Sequence, residues 1–450
     1  MMPMSVPREQ CELEVHVGGE WRSIAYIERR GGQARNQPTW LDYDIDYAAE
    51  HLGAHGDRAV SVRYPVDFDQ HAIATFPPFA IDLMPQGDAR RTLAARLRQR
   101  GQDESDWNVL LHGASNPVGN LRVVQSVVPS EESKEGVSRA QVVARGDGFR
   151  DWAEREGIPM TGSTDTGGAA PKLLLTEDEH GRLHADGALP DRRARRHWLV
   201  KFPRGRRSAD LVVLANEAPF LEVARAMGLR CALPATYDDG ALFVPRFDRV
   251  VTVDGEDATV ERLGLESVYA ALGVVRAGAP LAYEDVCELL AATSDDPRRD
   301  IVELVCRDAL AVALGDRDNH GRNTSLLKAG DGSVALAPLY DFAPMYLDPE
   351  GISRQTRWAS ERRGRLAVDW QEVTENLREH VPREVLGPAL RAFGAKLEGV
   401  RASMADAGVA LSCNLSGQIY VNQSAAFSDF HVSGANPAGN ATLCDAAFVA

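Results

Sequence analysis

Leu314-Gly315-Asp316-Arg317-Asp318-Asn319-His320-Gly321-Arg322-Asn323 follows directly on the apolar segment DIVELVCRDALAVAL, which reads as a helix. Asp318 and Asn323 are separated by four residues, so a short loop can hold a carboxylate and a carboxamide on one side. Met in isolation, the stretch reads more readily as an Asp/Asn-rich turn after a helix. Its surroundings decide between the two.

Eighteen positions beyond Asn323, the run Val334-Ala335-Leu336-Ala337-Pro338-Leu339-Tyr340-Asp341-Phe342-Ala343-Pro344 places Asp341 at the end of an apolar strand. The Asp318-x4-Asn323 spacing reproduces a protein-kinase catalytic loop, where the carboxylate orients the attacking hydroxyl and the carboxamide oxygen coordinates Mg2+. Asp341 then takes the place of the metal-binding Asp of an Asp-Phe-Gly element. Magnesium prefers hard oxygen ligands and shares its sphere with nucleotide phosphates, so one carboxylate and one carboxamide suffice. Alone, a Tyr-Asp-Phe at a strand end is an ordinary turn.

Three upstream segments extend the pattern. Thr161-Gly162-Ser163-Thr164-Asp165-Thr166-Gly167-Gly168-Ala169-Ala170-Pro171-Lys172 precedes the strand LLL. Its glycines let backbone N–H groups fold around phosphates, while Lys172 can supply charge. It is not a Walker A loop, since its Lys does not follow Gly and no Ser or Thr comes after it. A plain glycine turn is the alternative. His197-Trp198-Leu199-Val200-Lys201-Phe202-Pro203 sets a lysine inside an apolar strand, where an unpaired ammonium would cost several kcal/mol if buried. Its expected partners are nucleotide phosphates and a glutamate of the next helix, Glu217 or Glu222; an edge-strand Lys facing water is the alternative. Leu242-Phe243-Val244-Pro245-Arg246-Phe247-Asp248-Arg249 would cross from a β-rich to a helical part and offer backbone groups to adenine, with Arg246 or Arg249 free to form a structural ion pair with Asp248.

Composition sets the frame without choosing a function. The chain has 450 residues, 44% hydrophobic and 26% charged, enough for two or three domains with large cores. A net charge of −15 argues against gripping nucleic acid by a broad basic surface. Six scattered cysteines with no C-x-x-C pair indicate reduced thiols rather than a zinc site or disulfide framework. No leader pattern and no run of about 20 apolar residues is found, so a cytoplasmic protein without a membrane association is expected.

Residues 12–125 alternate short apolar runs (CELEVHVGG, WRSIAYIERRGG, RAVSVRYPV, NLRVVQSVV) with turns, which reads as strands of a small mixed domain. The Arg-rich segment from Ala89 to Arg98 has helical spacing and should pack on them. Residues 126–255 form a β-rich part opened by a polar connector, with a hairpin through EDEHGRLH and a helix from about Asp210 to Gly228. Residues 256–410 are mostly helical, and 411–450, rich in Ser, Asn, Gly and Ala, are expected to be a poorly ordered tail. The fold expected is α+β: two-lobed and protein-kinase-like, with a small mixed α/β N-terminal domain and an α-helical C-terminal lobe.

In order, GSTDTGGAAPK, HWLVKFP, NEAPFLEVARAMGL, VPRFDR, GDRDNHGRN and YDFAP resemble the signature series of HipA-like kinases, the toxins of bacterial toxin-antitoxin modules. The resemblance covers roughly residues 12–410 and includes Trp40-Leu41, Leu83 to Gly87 and Gly119 to Val123 of the small first domain. It implies an ATP- and Mg2+-dependent Ser/Thr protein kinase with Asp318 as catalytic Asp and Asn323 and Asp341 as metal ligands. It also implies that Gly167, Gly168, Ala169, Ala170, Pro171 and Lys172 cover the phosphates and Lys201 contacts them. Pro245, Arg246 and Phe247 would form the hinge under adenine, and His320, Gly321, Arg322, Asn323, Tyr340 and Asp341 would line the rest of the nucleotide site. Family members phosphorylate aminoacyl-tRNA synthetases or related translation proteins and halt growth, a behaviour tied to persistence. A small helix-turn-helix antitoxin, HipB-like, would bind the kinase and bring it to DNA indirectly.

One departure stands out. Family kinases are commonly silenced by autophosphorylation of a Ser in the glycine-rich loop, and counting back from Lys172 places Asp165 there, with Ser163, Thr164 and Thr166 as other acceptors. Two further readings share the loop chemistry: a small-molecule kinase, and a kinase-fold regulatory scaffold. The intact set of Lys201, Asp318, Asn323 and Asp341 weighs against the scaffold.

Overall fold

The computed structural model describes residues 8–30, 37–126, 136–156, 171–205, 207–348 and 350–410. The glycine-rich residues 161–170 and the tail 411–450 lie outside these. Two compact units divide the chain, one of residues 1–206, 237–277 and 326–334, the other of 207–236, 278–325 and 335–450.

The first unit is β-rich and holds two hydrophobic cores. In the first, strands β1 (Arg8–Val17), β2 (Glu20–Arg30), β3 (Thr39–Tyr43), β4 (His71–Ile73) and β5 (Leu121–Val123) form a sheet in the order β4-β3-β2-β1-β5. Alternation on β1 turns Cys11, Leu13 and Val15 inward and leaves the intervening glutamates nearer solvent. A bulge in the β1–β2 register inserts Ile24, so that Ile24 and Ala25 are both buried. The helices Pro78–Leu83 and Asp106–Gly113 contribute Phe79, Ile81, Trp107 and Leu110 to the same core. The Arg-rich segment is the helix Gly87–Gln99, as its spacing indicated. The run RAVSVRYPV differs from expectation. It forms no strand, only an isolated Ser61–Tyr64 bridge after a short 3-10 turn, because its chain folds back to close on Glu266.

The second core lies under β6 (Lys172–Asp178), β7 (Leu183–Ala185), β8 (Ala194–Lys201), β9 (Thr236–Asp238) and β10 (Ala241–Pro245), in the order β7-β6-β8-β10-β9. Leu173, Leu175, Trp198, Val200 and Phe243 pack there against Phe149 and Trp152 of the helix Asp147–Arg155. The polar connector thus ends in two short helices, the other being Arg139–Ala144. The hairpin through Glu179 to Arg182 joins β6 and β7 as read. Residues 257–267, placed in the helical half by sequence, are strands of this unit.

The second unit is helical. Ser208–Ala226, Tyr283–Thr293, Pro297–Leu314, Trp370–Asn376 and Arg383–Glu398 are its longer helices. Pro297–Leu314 is buried over most of its length, including Asp300, Glu303, Arg307 and Asp308, each of which meets an opposite charge or a backbone donor.

Candidate functional site

The helix Pro297–Leu314 ends where Gly315 takes a left-handed conformation (φ 72°), which a residue with a side chain adopts at a cost. The chain then enters the loop 316–323. Its first carboxyl, Asp316, is 6% exposed and accepts the N–H of Asp318 at 3.1 Å. Burial pushes the Asp316 carboxyl well above the usual range, and the nearby carboxylates of Asp318 and Asp341 push it further. The three acids therefore share one electrostatic neighbourhood.

Asn323 closes the loop. Its Nδ2–H donates to the Asp318 carbonyl at 2.6 Å and its N–H to the His320 carbonyl at 2.9 Å. With Nδ2 engaged inward, Oδ1 is the atom available to a cation. The Arg322 N–H donates to His320 Nδ1, so a neutral His320 carries its proton on Nε2, 3.6 Å from Asp318 Oδ1.

Asn319, which sequence reasoning did not single out, anchors the middle of this loop. Its Oδ1 accepts the N–H groups of Gln355 and Thr356, and its Nδ2 donates to Tyr283 Oη and the Thr356 carbonyl. The Thr356 hydroxyl donates to the Asn319 carbonyl at 2.6 Å. Only the high local density of Asp and Asn hinted at it.

The strand carrying the second acid is shorter than its apolar sequence suggested. It spans Val334–Leu336, and residues 337–340 continue outside it. Tyr340 Oη–H donates to the Arg322 carbonyl and accepts from Ser325 Oγ, both at 2.7 Å, so Tyr340 ties the segment to the loop. Asp341 sits at φ 53°, a region that Asp tolerates better than most side chains. Phe342 is buried against Phe220 of the helix Ser208–Ala226, with ring centroids 5.7 Å apart. Asp318, His320, Gly321, Arg322, Asn323, Tyr340 and Asp341 are thus all carried by the helical unit.

A divalent cation fits this donor set. Asp341 and Asp318 both act on Asp316, so like-charged carboxyls already disfavour one another there, and Asn323, bonded to the Asp318 carbonyl, has a hard oxygen to offer. Among the described residues no group of three or more His, Cys, Asp or Glu forms a self-sufficient metal site. A magnesium ion completed by phosphate oxygens needs no such group.

The β-rich unit carries the other predicted residues. Lys172 and Lys201 are register partners across β6 and β8, with Lys172 exposed and Lys201 3% exposed. Of the two glutamates considered for Lys201, Glu222 pairs with Arg225 on its own helix, whereas Glu217 is buried at 4% exposure. Pro245 ends β10, and the Arg246 N–H donates to the His197 carbonyl. The Arg246 side chain forms the buried ion pair that sequence left open. It meets Asp186 at 2.5 Å and Asp248 at 2.6 Å, and Asp248 also meets Arg249 at 2.8 Å. This cluster reaches into the first core's border, where Asp248 accepts the Gly119 N–H and Arg249 donates to the Pro117 and Gly119 carbonyls. Gly167, Gly168, Ala169 and Ala170 lie outside the described residues.

Among the described residues no helix is long and apolar enough to cross a membrane. The sequence pattern of the HipA-like C-terminal domain matches residues 164–397 of this chain. A protein of Sinorhizobium fredii (strain NBRC 101917 / NGR234) named "Putative kinase Y4mE" is 33% identical over 144 residues, covering 30% of this chain and 33% of that protein. The match therefore spans about a third of that relative's length. A chain from the Shewanella oneidensis MR-1 toxin-antitoxin complex of HipA, HipB and operator DNA superposes with a TM-score of 0.62 at 16% identity, over 93% of this chain and 94% of that one. The fold is the kinase-like α+β fold expected from sequence, with a β-rich and a helical unit, and since the matched segment is more than half of the 450 residues, the chain belongs to the HipA-like C-terminal domain family.

Proposed function

We propose that the protein is an ATP-dependent Ser/Thr protein kinase, the toxin of a toxin-antitoxin module, whose substrate is an aminoacyl-tRNA synthetase or another translation protein. The observation that carries this reading is the loop in which Asn323 closes on Asp318 beside Asp341. In the reaction, the substrate hydroxyl oxygen bonds to the γ-phosphorus and the bond to the β–γ bridging oxygen breaks. ADP leaves, and the hydroxyl proton passes by way of the Asp318 carboxylate to solvent. Asp318 orients the hydroxyl, Asn323 and Asp341 hold Mg2+, and Lys172 and Lys201 serve the phosphates with the loop 167–171. Magnesium, when bound, neutralises charge on the transferred phosphoryl group.

Pro245 to Phe247 are proposed as the adenine hinge through their backbone, since the Arg246 guanidinium is engaged in its ion cluster. His320, Gly321, Arg322 and Tyr340 complete the nucleotide site. The Shewanella complex contains an antitoxin and operator DNA, which supports a HipB-like partner for this chain and DNA contact through that partner; an acidic chain with a net charge of −15 fits such indirect contact. Incubation with labelled ATP and Mg2+, first alone and then with a synthetase-rich bacterial lysate, tests the reading. Label on a lysate protein with wild type and none with Asp318→Ala is expected; ATP binding without any transfer would overturn it.

A further inference from the structure

Between the short strand Val334–Leu336 and Asp341, the backbone is held largely by groups outside that strand. The Ala337 N–H donates to the Ser325 carbonyl at 2.8 Å, and the Leu339 N–H to the Arg230 carbonyl at 2.7 Å. The Ala337 carbonyl accepts from Arg307 Nη1 at 2.8 Å, and the Leu336 N–H donates to Asp300 Oδ2 at 2.6 Å. Both side chains belong to the buried helix Pro297–Leu314, whose end begins the loop of Asp318.

The two side-chain contacts, from Arg307 and Asp300, issue from one buried ion cluster. Arg307 Nε donates to Glu303 Oε1 at 2.9 Å, one helical turn away, and Arg307 Nη2 reaches the Arg230 carbonyl at 3.2 Å. Arg230 in turn pairs with Glu303 and with Asp300 at 2.5 Å. Two cations and two anions balance, so the cluster can be buried without a net charge. Arginine is suited to its central place, because a planar fork can meet a carboxylate and two carbonyls at fixed angles, whereas a lysine ammonium cannot hold all three.

We infer that Arg307, braced by Glu303 and Arg230, is a positioning residue for the metal site: it fixes Ala337 and thereby the place of Asp341 relative to the loop of Asp318 and Asn323. The inference rests on the proposed role of Asp341 as a metal ligand. Arg307 touches neither metal nor nucleotide in this role. It acts through four residues of backbone whose far end, Asp341, holds a left-handed conformation that neighbouring contacts must maintain.

The test is Mn2+ binding to the full chain in the presence of ADP, read by electron paramagnetic resonance of free Mn2+, for wild type, Arg307→Met, Arg307→Lys and Asp341→Asn. Arg307→Met is expected to weaken Mn2+ binding by about 10–100-fold, the range seen when a residue supporting a metal ligand is lost. Phosphoryl transfer should recover substantially at saturating metal, and ADP affinity without metal should stay unchanged. Arg307→Lys, which keeps the charge facing Glu303, should restore part of the Mn2+ affinity and remains informative if Arg307→Met does not fold. A folded variant with lowered melting temperature but wild-type Mn2+ affinity would overturn the inference, leaving the metal site intact if Asp341→Asn abolishes binding. Unchanged Mn2+ binding in Asp341→Asn would overturn the metal-site reading itself, and the inference with it.

Discussion

Asn323 Nδ2–H donates to the Asp318 carbonyl at 2.6 Å, so the two residues that sequence pairs by spacing are physically joined through the backbone of one by the side chain of the other. The bond fixes which face Asn323 turns outward and holds the Asp318 peptide in place, and it engages the Asp318 carbonyl and not its carboxylate. Truncation at 318 then removes the carboxylate, with its approach to His320, and keeps this backbone bond of the loop.

Asp318→Ala is accordingly expected to lower phosphoryl transfer by about 10^3-fold, within the range for losing a general base. ATP affinity by calorimetry should change little. A variant that loses ATP binding in parallel with transfer would show that Asp318 builds the site rather than acting within it.

The Asp318-x4-Asn323 loop and the apolar helix between Asp300 and Leu314 were legible in sequence because each depends on local order: periodicity, turn residues and a fixed interval. What was not legible depends on chain segments far apart. Asn319 is one more polar residue in a polar loop until the chain returns at Gln355 and Thr356. Arg307 and Glu303 look like a surface i,i+4 pair until Arg230 and the Ala337 carbonyl close over them. The run RAVSVRYPV carries a strand-like pattern but gives way to the hydrogen bonds of Ser61 and Val62 with Glu266, more than two hundred residues away.

Asn319→Ala removes an acceptor for two N–H groups and a donor to Thr356 and Tyr283. Part-buried donors left without partners cost about 1–3 kcal/mol, so urea unfolding should show a loss in that range. The loop that carries Asp318 would also lose its central anchor, and kcat should fall more than the KM for ATP rises. A fall in stability with unaltered kcat would limit Asn319 to holding the fold.

Asp248 is the shared anion of Arg246 and Arg249, and it accepts the Gly119 N–H as well. Burial raises its carboxyl, but the two guanidiniums outweigh this and hold it well below the usual range, while burial and the neighbouring Arg246 lower the Arg249 guanidinium to about 10. Asp248→Ala would take the ion-pair carboxylate from the buried Arg249 and leave the buried Arg246 with Asp186 alone, and should destabilise by about 3–5 kcal/mol. The exposed pair Arg98–Glu104 offers the contrast: Glu104→Ala should change stability by less than about 1 kcal/mol. Similar losses at both sites in denaturant titrations would contradict the structural weight placed on the buried cluster.

Asp316 carries the last prediction, and its sign is opposite to that of Asp248. Its folded-state carboxyl is raised, first by burial and then by Asp318 and Asp341, so the folded chain binds a proton there more readily than the unfolded chain does. The folded state therefore loses stability as pH rises from the ordinary carboxyl value of 3.8 toward the raised one, and the penalty is fully present above the latter. Asp316→Asn keeps an acceptor for the Asp318 N–H and cannot ionise. Melting temperatures across pH 4 to 8 should show the variant more stable than wild type at the upper end, with the gap closing toward pH 4 as wild type becomes protonated. A gap that is constant with pH would mean that Asp316 binds its proton alike in the folded and unfolded chain; a gap that widens on acidification would mean that its carboxylate is stabilised by the fold rather than opposed by it.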